Sequence, residues 1–114
     1  MITFDELIKI HAELFPDTNL EQQAKKWEEE SAEFVQALGN SEEELCEIAD
    51  CVIVSAGIAR FDYPMGLGYL SASLLKGDMF KQWQAVEKKV EKLKKRVWVK
   101  DPVVGYKHTK GIED

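Results

Sequence analysis

Glu30 and Glu33 stand one helical turn apart in "KWEEESAEFVQAL", and Glu47 and Asp50 repeat that spacing in "EIAD". Side chains three or four residues apart on a helix are neighbours, with Cβ atoms about 5–6 Å apart, so two carboxylates there repel unless a proton or a cation intervenes. Glu28 and Glu29 crowd the first pair further, with no lysine or arginine placed to neutralise them. Residues 28 to 59 hold nine acids and no Lys or Arg, whereas residues 76 to 100 hold nine bases and three acids. Such segregation fits a cation site beside an anion site and argues against binding a nucleic-acid polymer over the whole surface. The chemistry that needs paired carboxylates without nearby bases is the binding of a hard divalent cation. Mg²⁺ takes oxygen ligands and keeps waters or substrate phosphates in its remaining positions, and Mn²⁺ accepts the same donors.

Other metal chemistry is disfavoured. His11 and His108 lie at opposite ends of the chain, which excludes a compact HExxH zinc site. Cys46 and Cys51 are five apart, matching neither a CxxC pair nor a disulfide framework, and read as two small apolar side chains. A metal here has to be held by oxygen.

Three helix starts position the acids: Thr3 with Glu6, Asn19 with Gln22, and Ser41 with Glu44 as capping pairs. The first helix is expected to reach about Phe15, before Pro16, and the second to run from Leu20 to Leu38, ending at Gly39 and Asn40. Projection at 100° per residue puts Leu20, Ala24, Trp27, Ser31, Phe34, Val35 and Leu38 of the second helix on a core-facing stripe, with Glu30 at its border and Glu33 one turn on. The third helix, from Glu42 to about Arg60, buries Leu45, Ile48, Ala49, Val52, Ile53, Ala56 and Ala59. Its opposite side turns apolar after Asp50, at Val54, Gly57 and Ile58, so the acids lead into an interior. Two antiparallel helices joined by "GNSEE" then bring the four carboxylates face to face. Glu28, Glu42 and Glu43 read as a solvated face, and Glu44 as a cap.

Downstream, Pro64, Gly66 and Gly68 in "FDYPMGLGY" are expected to break regular structure, with a short helical turn in "YLSASLLK". Asp78 caps a last long helix in which Phe80, Trp83, Val86, Val90, Leu93 and Val97 recur at three- and four-residue intervals. A polar, less regular tail follows from about residue 98. No alternating strand pattern of useful length is visible, so the expected fold is all-α: one domain over residues 1–114, a bundle of four to five helices. No apolar run approaches the roughly 18–20 residues that span a bilayer, and the start "MITFDELIKI" lacks the basic region of a secretory signal. A cytoplasmic location with no membrane partner is expected.

The two acidic motifs, with 13 residues between Glu33 and Glu47, together with "FPDTNLEQQAKKWEEESAEF" and the basic "EKLKKRVW", resemble the MazG-like branch of the all-α nucleoside triphosphate pyrophosphohydrolases over roughly residues 10 to 100. The resemblance implies hydrolysis of a (deoxy)nucleoside triphosphate between the α and β phosphates, to a monophosphate and pyrophosphate. It makes Glu30, Glu33, Glu47 and Asp50 the magnesium ligands, and Glu29 or Glu33 the group that positions or deprotonates the attacking water. Lys89, Lys92, Lys95 and Arg96 are then candidates for the pyrophosphate end, Lys92 and Arg96 foremost at their i,i+4 spacing. Trp98, beyond the periodic segment, is a candidate to meet the substrate, whereas Trp27, Phe34 and Trp83 read as core. A homodimer or homotetramer is implied as well, since the third helix is apolar on more faces than one hairpin covers.

Two other readings fit the same residues: phosphoribosyl-ATP pyrophosphohydrolase, which shares the carboxylate logic, and a non-enzymatic helical interaction module whose acidic and basic faces bind a protein. A di-iron carboxylate bundle lacks its ExxH histidines here.

Overall fold

A computed structural model of the chain describes residues 1–74, 78–96 and 98–108, without the side chains of 101, 107 and 108. The expected apolar position Val97, residues 75–77, of which 75 and 76 belong to the expected helical turn, and the tail from 109 onward lie outside the described residues.

Five helices carry the fold: α1 (Phe4–Leu14), α2 (Leu20–Gln36), α3 (Ser41–Ala59), α4 (Tyr63–Ser73) and α5 (Met79–Lys95). The start signals for α1, α2 and α5 act as expected. Thr3 and Glu6 bond each other's backbone N–H, Asn19 accepts from the Gln22 N–H, and Asp78 accepts from the Lys81 N–H. The start of α3 differs: Asn40, not Ser41, is the N-cap, and its Oδ1 accepts the Glu43 N–H at 3.2 Å. Glu44 therefore does not act as a capping partner. The preceding Gly39 has φ +97°, the left-handed turn that reverses the chain between α2 and α3.

The helix α4 is the larger departure. Pro64 sits in its first turn, where the missing N–H has no partner to lose, and Asp62 caps it by accepting the Met65 N–H. Gly66 lies within the helix because a Cβ there would overlap Ala59 of α3, so the glycine lets two backbones approach. Proline and glycine that read as breakers are here a start signal and a packing contact.

The core gathers around α3, whose residues 51–59 are all buried. Leu7 of α1, and Val86, Val90 and Leu93 of α5, close on Ile48, Ala49, Val52, Ile53 and Ala56. The apolar surplus of α3 is thus covered within one chain, by α1, α2, α4 and α5. Some expected core positions are not in it: Val35 and Leu38 at the end of α2 are 61% and 57% exposed, and Phe80 at the start of α5 is 57% exposed. Val35 and Phe80 lie in the terminal turns of their helices and Leu38 lies just past the end of α2, which stops at Gln36 rather than at Leu38, so the stripe runs past the neighbours it was projected onto. Among the described residues, no helix is long and apolar enough to cross a membrane.

The expected irregular tail is instead a β-hairpin. The strands β1 (Trp98–Asp101) and β2 (Gly105–His108) pair antiparallel, with Trp98 opposite His108 and Asp101 opposite Gly105. Gly105 has φ +90°, and a Cβ there would lie 2.7 Å from Thr18 Oγ1. Lys100 meets Asp17 at 3.2 Å, and Phe15 packs edge-on to Trp98, so the hairpin folds back over the α1–α2 connection.

Gly57 has a comparable role inside the bundle, because a Cβ there would overlap Gln23 Oε1 and stand 2.5 Å from His11 Nε2. Gly57→Ala is expected to lose about 2–4 kcal/mol, from overpacking and a strained buried hydrogen bond. A lower urea midpoint at unchanged m value would show it.

Candidate metal centre

Antiparallel packing of α2 on α3 places Gln23 against Gly57 and, two turns along, Glu30 beside Asp50. Glu30, Glu33, Glu47 and Asp50 converge there, each offering a carboxylate oxygen within 4.8 Å of all the others. Glu30 is 7% exposed, Glu47 and Asp50 are partly buried, and Glu33 stands at the open side. The quartet read from the sequence is brought together.

Its electrostatics follow from burial. Desolvation, together with Asp50 and Glu33, pushes the Glu47 carboxyl up to about 7. Desolvation also raises Asp50 to about 6, although Lys89 works against it, and raises Glu30 in spite of Lys26. Cys51, buried on the same stretch of α3 and facing the same acids, is pushed up to about 12 and stays a thiol. Cys46 is exposed and free.

Two cations reach the cluster, which corrects the expectation that no base is near. Lys26 Nζ lies 3.1 Å from Glu30 Oε1 and 3.6 Å from Glu29 Oε1, and Lys89 Nζ lies 3.2 Å from Asp50 Oδ1. Lys26 precedes the acids by one turn, an i,i+4 pair with Glu30 that the spacing made visible. Two ammonium groups, one of them shared with Glu29, stand against four carboxylates and leave the cluster acid-rich. Glu30 Oε2 and Glu47 Oε2 are moreover buried with no hydrogen-bond partner. A buried carboxylate oxygen without a donor is costly, and oxygens left bare side by side are what a hard cation uses. The residues present fit a hard divalent cation.

The cluster forms one part of a cavity of about 410 Å³. Lys89, Arg96 and Trp98, all singled out from the sequence, line it, as does Glu29 at its edge. Lys92 does not; it faces a separate groove with Glu42, Leu45, Cys46 and Lys81, and Lys95 lines neither. Helical geometry gives the reason: Lys89 and Leu93 stand four residues apart on one face of α5, Arg96 follows as its C-cap, and Lys92 and Lys95 fall outside that face. Ile53, Val54 and Leu93 form an apolar stretch beyond the acids.

Past that stretch lie residues the sequence reading did not assign to the site: His11, Phe15, Gln23 and Tyr106. Phe15 contacts three rings, with centroids 4.6 Å from Trp98, 5.0 Å from His11 and 5.1 Å from Tyr106. Trp98 donates its indole N–H to the Leu93 carbonyl at 3.2 Å, which anchors the ring at the cavity wall. Burial and the neighbouring Arg60 push His11 down to about 3, so its ring is neutral. Trp27 and Trp83 are structural, as read, with indole N–H groups bonded to Ser73 Oγ and the Ile2 carbonyl. The only sequence signal for this aromatic wall was the off-period position of Trp98.

No family model, curated protein or solved structure matches the chain. The site is therefore read from its own geometry.

Proposed function

We propose that the protein is a divalent-metal-dependent nucleoside triphosphate pyrophosphohydrolase, cleaving a (deoxy)nucleoside triphosphate between the α and β phosphates. The observation that carries this reading is a partly buried four-carboxylate cluster with two bare oxygens, in one cavity with the cationic side chains of Lys26, Lys89 and Arg96 and an aromatic wall. Glu30, Glu33, Glu47 and Asp50 would hold Mg²⁺, with Mn²⁺ as a substitute. Bound there, the ion would offset triphosphate charge and polarise the phosphorus under attack.

The chain's own residues supply the rest. Lys89 and Arg96 face the cavity from α5 and receive the leaving pyrophosphate, Arg96 through a planar pair of N–H groups. Glu29, at the exposed edge, or Glu33 takes a proton from the attacking water as the bond from the α phosphorus to the bridging oxygen breaks. Lys26 holds Glu30 and Glu29 in place. A second copy of the chain, as dimer or tetramer, belongs to this reading through the family resemblance, as does a cytoplasmic location.

The test is product analysis. Incubation with a panel of nucleoside triphosphates and Mg²⁺ is expected to release pyrophosphate and the monophosphate; orthophosphate as the first product, or no hydrolysis, contradicts the reading. The side chains on α5 separate further. Lys89→Ala and Arg96→Ala are each expected to lower kcat/KM by about 10-fold or more, the worth of a charge-assisted contact, while Lys92→Ala stays within about 2-fold.

A further inference from the structure

A directed chain of hydrogen bonds ends at the aromatic wall. Arg60 Nη1 lies 3.1 Å from His11 Nδ1, and a guanidinium only donates, so Nδ1 is the acceptor and the neutral ring carries its hydrogen on Nε2. That Nε2–H donates to Gln23 Oε1 at 3.0 Å, Gln23 Nε2 donates to Thr18 Oγ1 at 2.9 Å, and Thr18 donates to Gln22 Oε1 at 3.1 Å. Gln22 Nε2 then donates to the Pro102 carbonyl of the hairpin turn at 3.4 Å. A donor-only group at one end and an acceptor-only group at the other leave the chain a single direction.

The consequence falls on Gln23. An amide can flip end for end when its neighbours permit, but here His11 requires the oxygen on its side. Gly57 closes the chamber behind the His11–Gln23 bond. The hydrogen bonds named for Gln23 use one lone pair and one N–H, leaving a second lone pair and a second N–H on a side chain that lines the cavity. Gln23 precedes Glu30 by two helical turns, roughly 10 Å at 1.5 Å per residue, the order of the span of a nucleotide from α phosphate to base.

We infer that Gln23 is the specificity-determining residue for the base. Its locked amide reads the keto or amino edge of a nucleobase lying against the wall formed by Phe15, Trp98 and Tyr106, with Arg60 and His11 as positioning residues. This rests on the pyrophosphohydrolase reading and goes beyond it. Keto and amino bases present opposite donor and acceptor orders to a fixed amide, and a bidentate amide–base pair discriminates by about 1–3 kcal/mol. The wild type should therefore separate UTP from CTP by at least about 10-fold in kcat/KM.

The experiment compares kcat/KM for UTP and CTP in wild type, Gln23→Glu and Arg60→Met. Gln23→Glu keeps the shape but replaces the N–H donors by an acceptor, and is expected to cut the ratio at least about 5-fold or invert it. Arg60→Met, which does not line the cavity, frees the His11 tautomer and the amide with it, and removes the bond from Arg60 Nη1 to the Phe15 carbonyl; its ratio is expected to move toward one. Arg60→Met decides the matter should Gln23→Glu not fold. A wild-type ratio near one, or a ratio unchanged in folded variants, overturns this inference alone if hydrolysis still depends on Glu47. Absence of Glu47-dependent hydrolysis overturns the pyrophosphohydrolase reading and this inference together.

Discussion

Glu47→Gln is expected to abolish pyrophosphate release while leaving the metal-free protein more stable than wild type. The two effects have one cause. Glu47 is a partly buried carboxyl among three others, one of its oxygens is bare, and burial with Asp50 and Glu33 raises its affinity for a proton. A neutral amide of the same shape removes that repulsion, which a bound cation would otherwise answer. Activity should fall by about 10³-fold or more, of the order that loss of a principal electrostatic stabiliser brings. A side chain needed only for packing would lower stability and activity together, so opposite signs mark a site whose charge is kept for function.

The second large effect is on stability against pH without divalent ions. An acid whose folded-state value is raised binds its proton more tightly in the folded chain, so it withdraws stability as pH climbs from the ordinary carboxylate value to the raised one. For Glu47 that window runs from 4.5 to about 7, and for Asp50 from 3.8 to about 6. His11 runs the other way: its value is depressed from 6.5 to about 3, so its burial withdraws stability as pH falls through that range. The stability difference between Glu47→Gln and wild type cancels the His11 contribution. That difference should grow from near zero at pH 4 to a plateau above pH 7, on the order of 1–2 kcal/mol after discounting for partial exposure. Mg²⁺ at 100 times the wild-type Kd should then shrink that difference at pH 7.5 by about 1.3 kcal/mol or more, because it adds about 2.7 kcal/mol to the wild type and about 1.4 kcal/mol or less to a variant that binds at least 10-fold more weakly. Urea unfolding at intervals across this range measures both.

Much of this site was legible in the sequence. The acids could be placed because three-residue spacing, a short connection and an apolar run after Asp50 fix one geometry between them. Lys26 was legible by the same spacing rule, yet Lys89 was not, since a lysine on a basic helix acquires meaning only from what α3 sets opposite it. For that reason the sequence put Lys92 ahead of Lys89, although Lys89 is the one that lines the cavity with the acids. The α4 residues misled because Pro64 and Gly66 carry opposite meanings at a helix start and in a helix interior, and only Asp62 tells them apart. The strands were missed because four residues such as "WVKD" are too short to show alternation. Pro102 and Gly105 between valine, tryptophan and tyrosine were the available sign of a hairpin. His11 and Gln23 carry no motif at all: their pairing depends on Gly57 of another helix.

Titration with Mn²⁺, followed by the loss of the free-ion paramagnetic signal, tests the metal centre most directly. The wild type is expected to bind in a saturable site, weakened at least about 10-fold by Glu47→Gln and by Asp50→Asn, and unchanged by Glu42→Gln on the solvent face. Equal binding by all four proteins, or no saturable binding by the wild type, would contradict a cation held by these carboxylates.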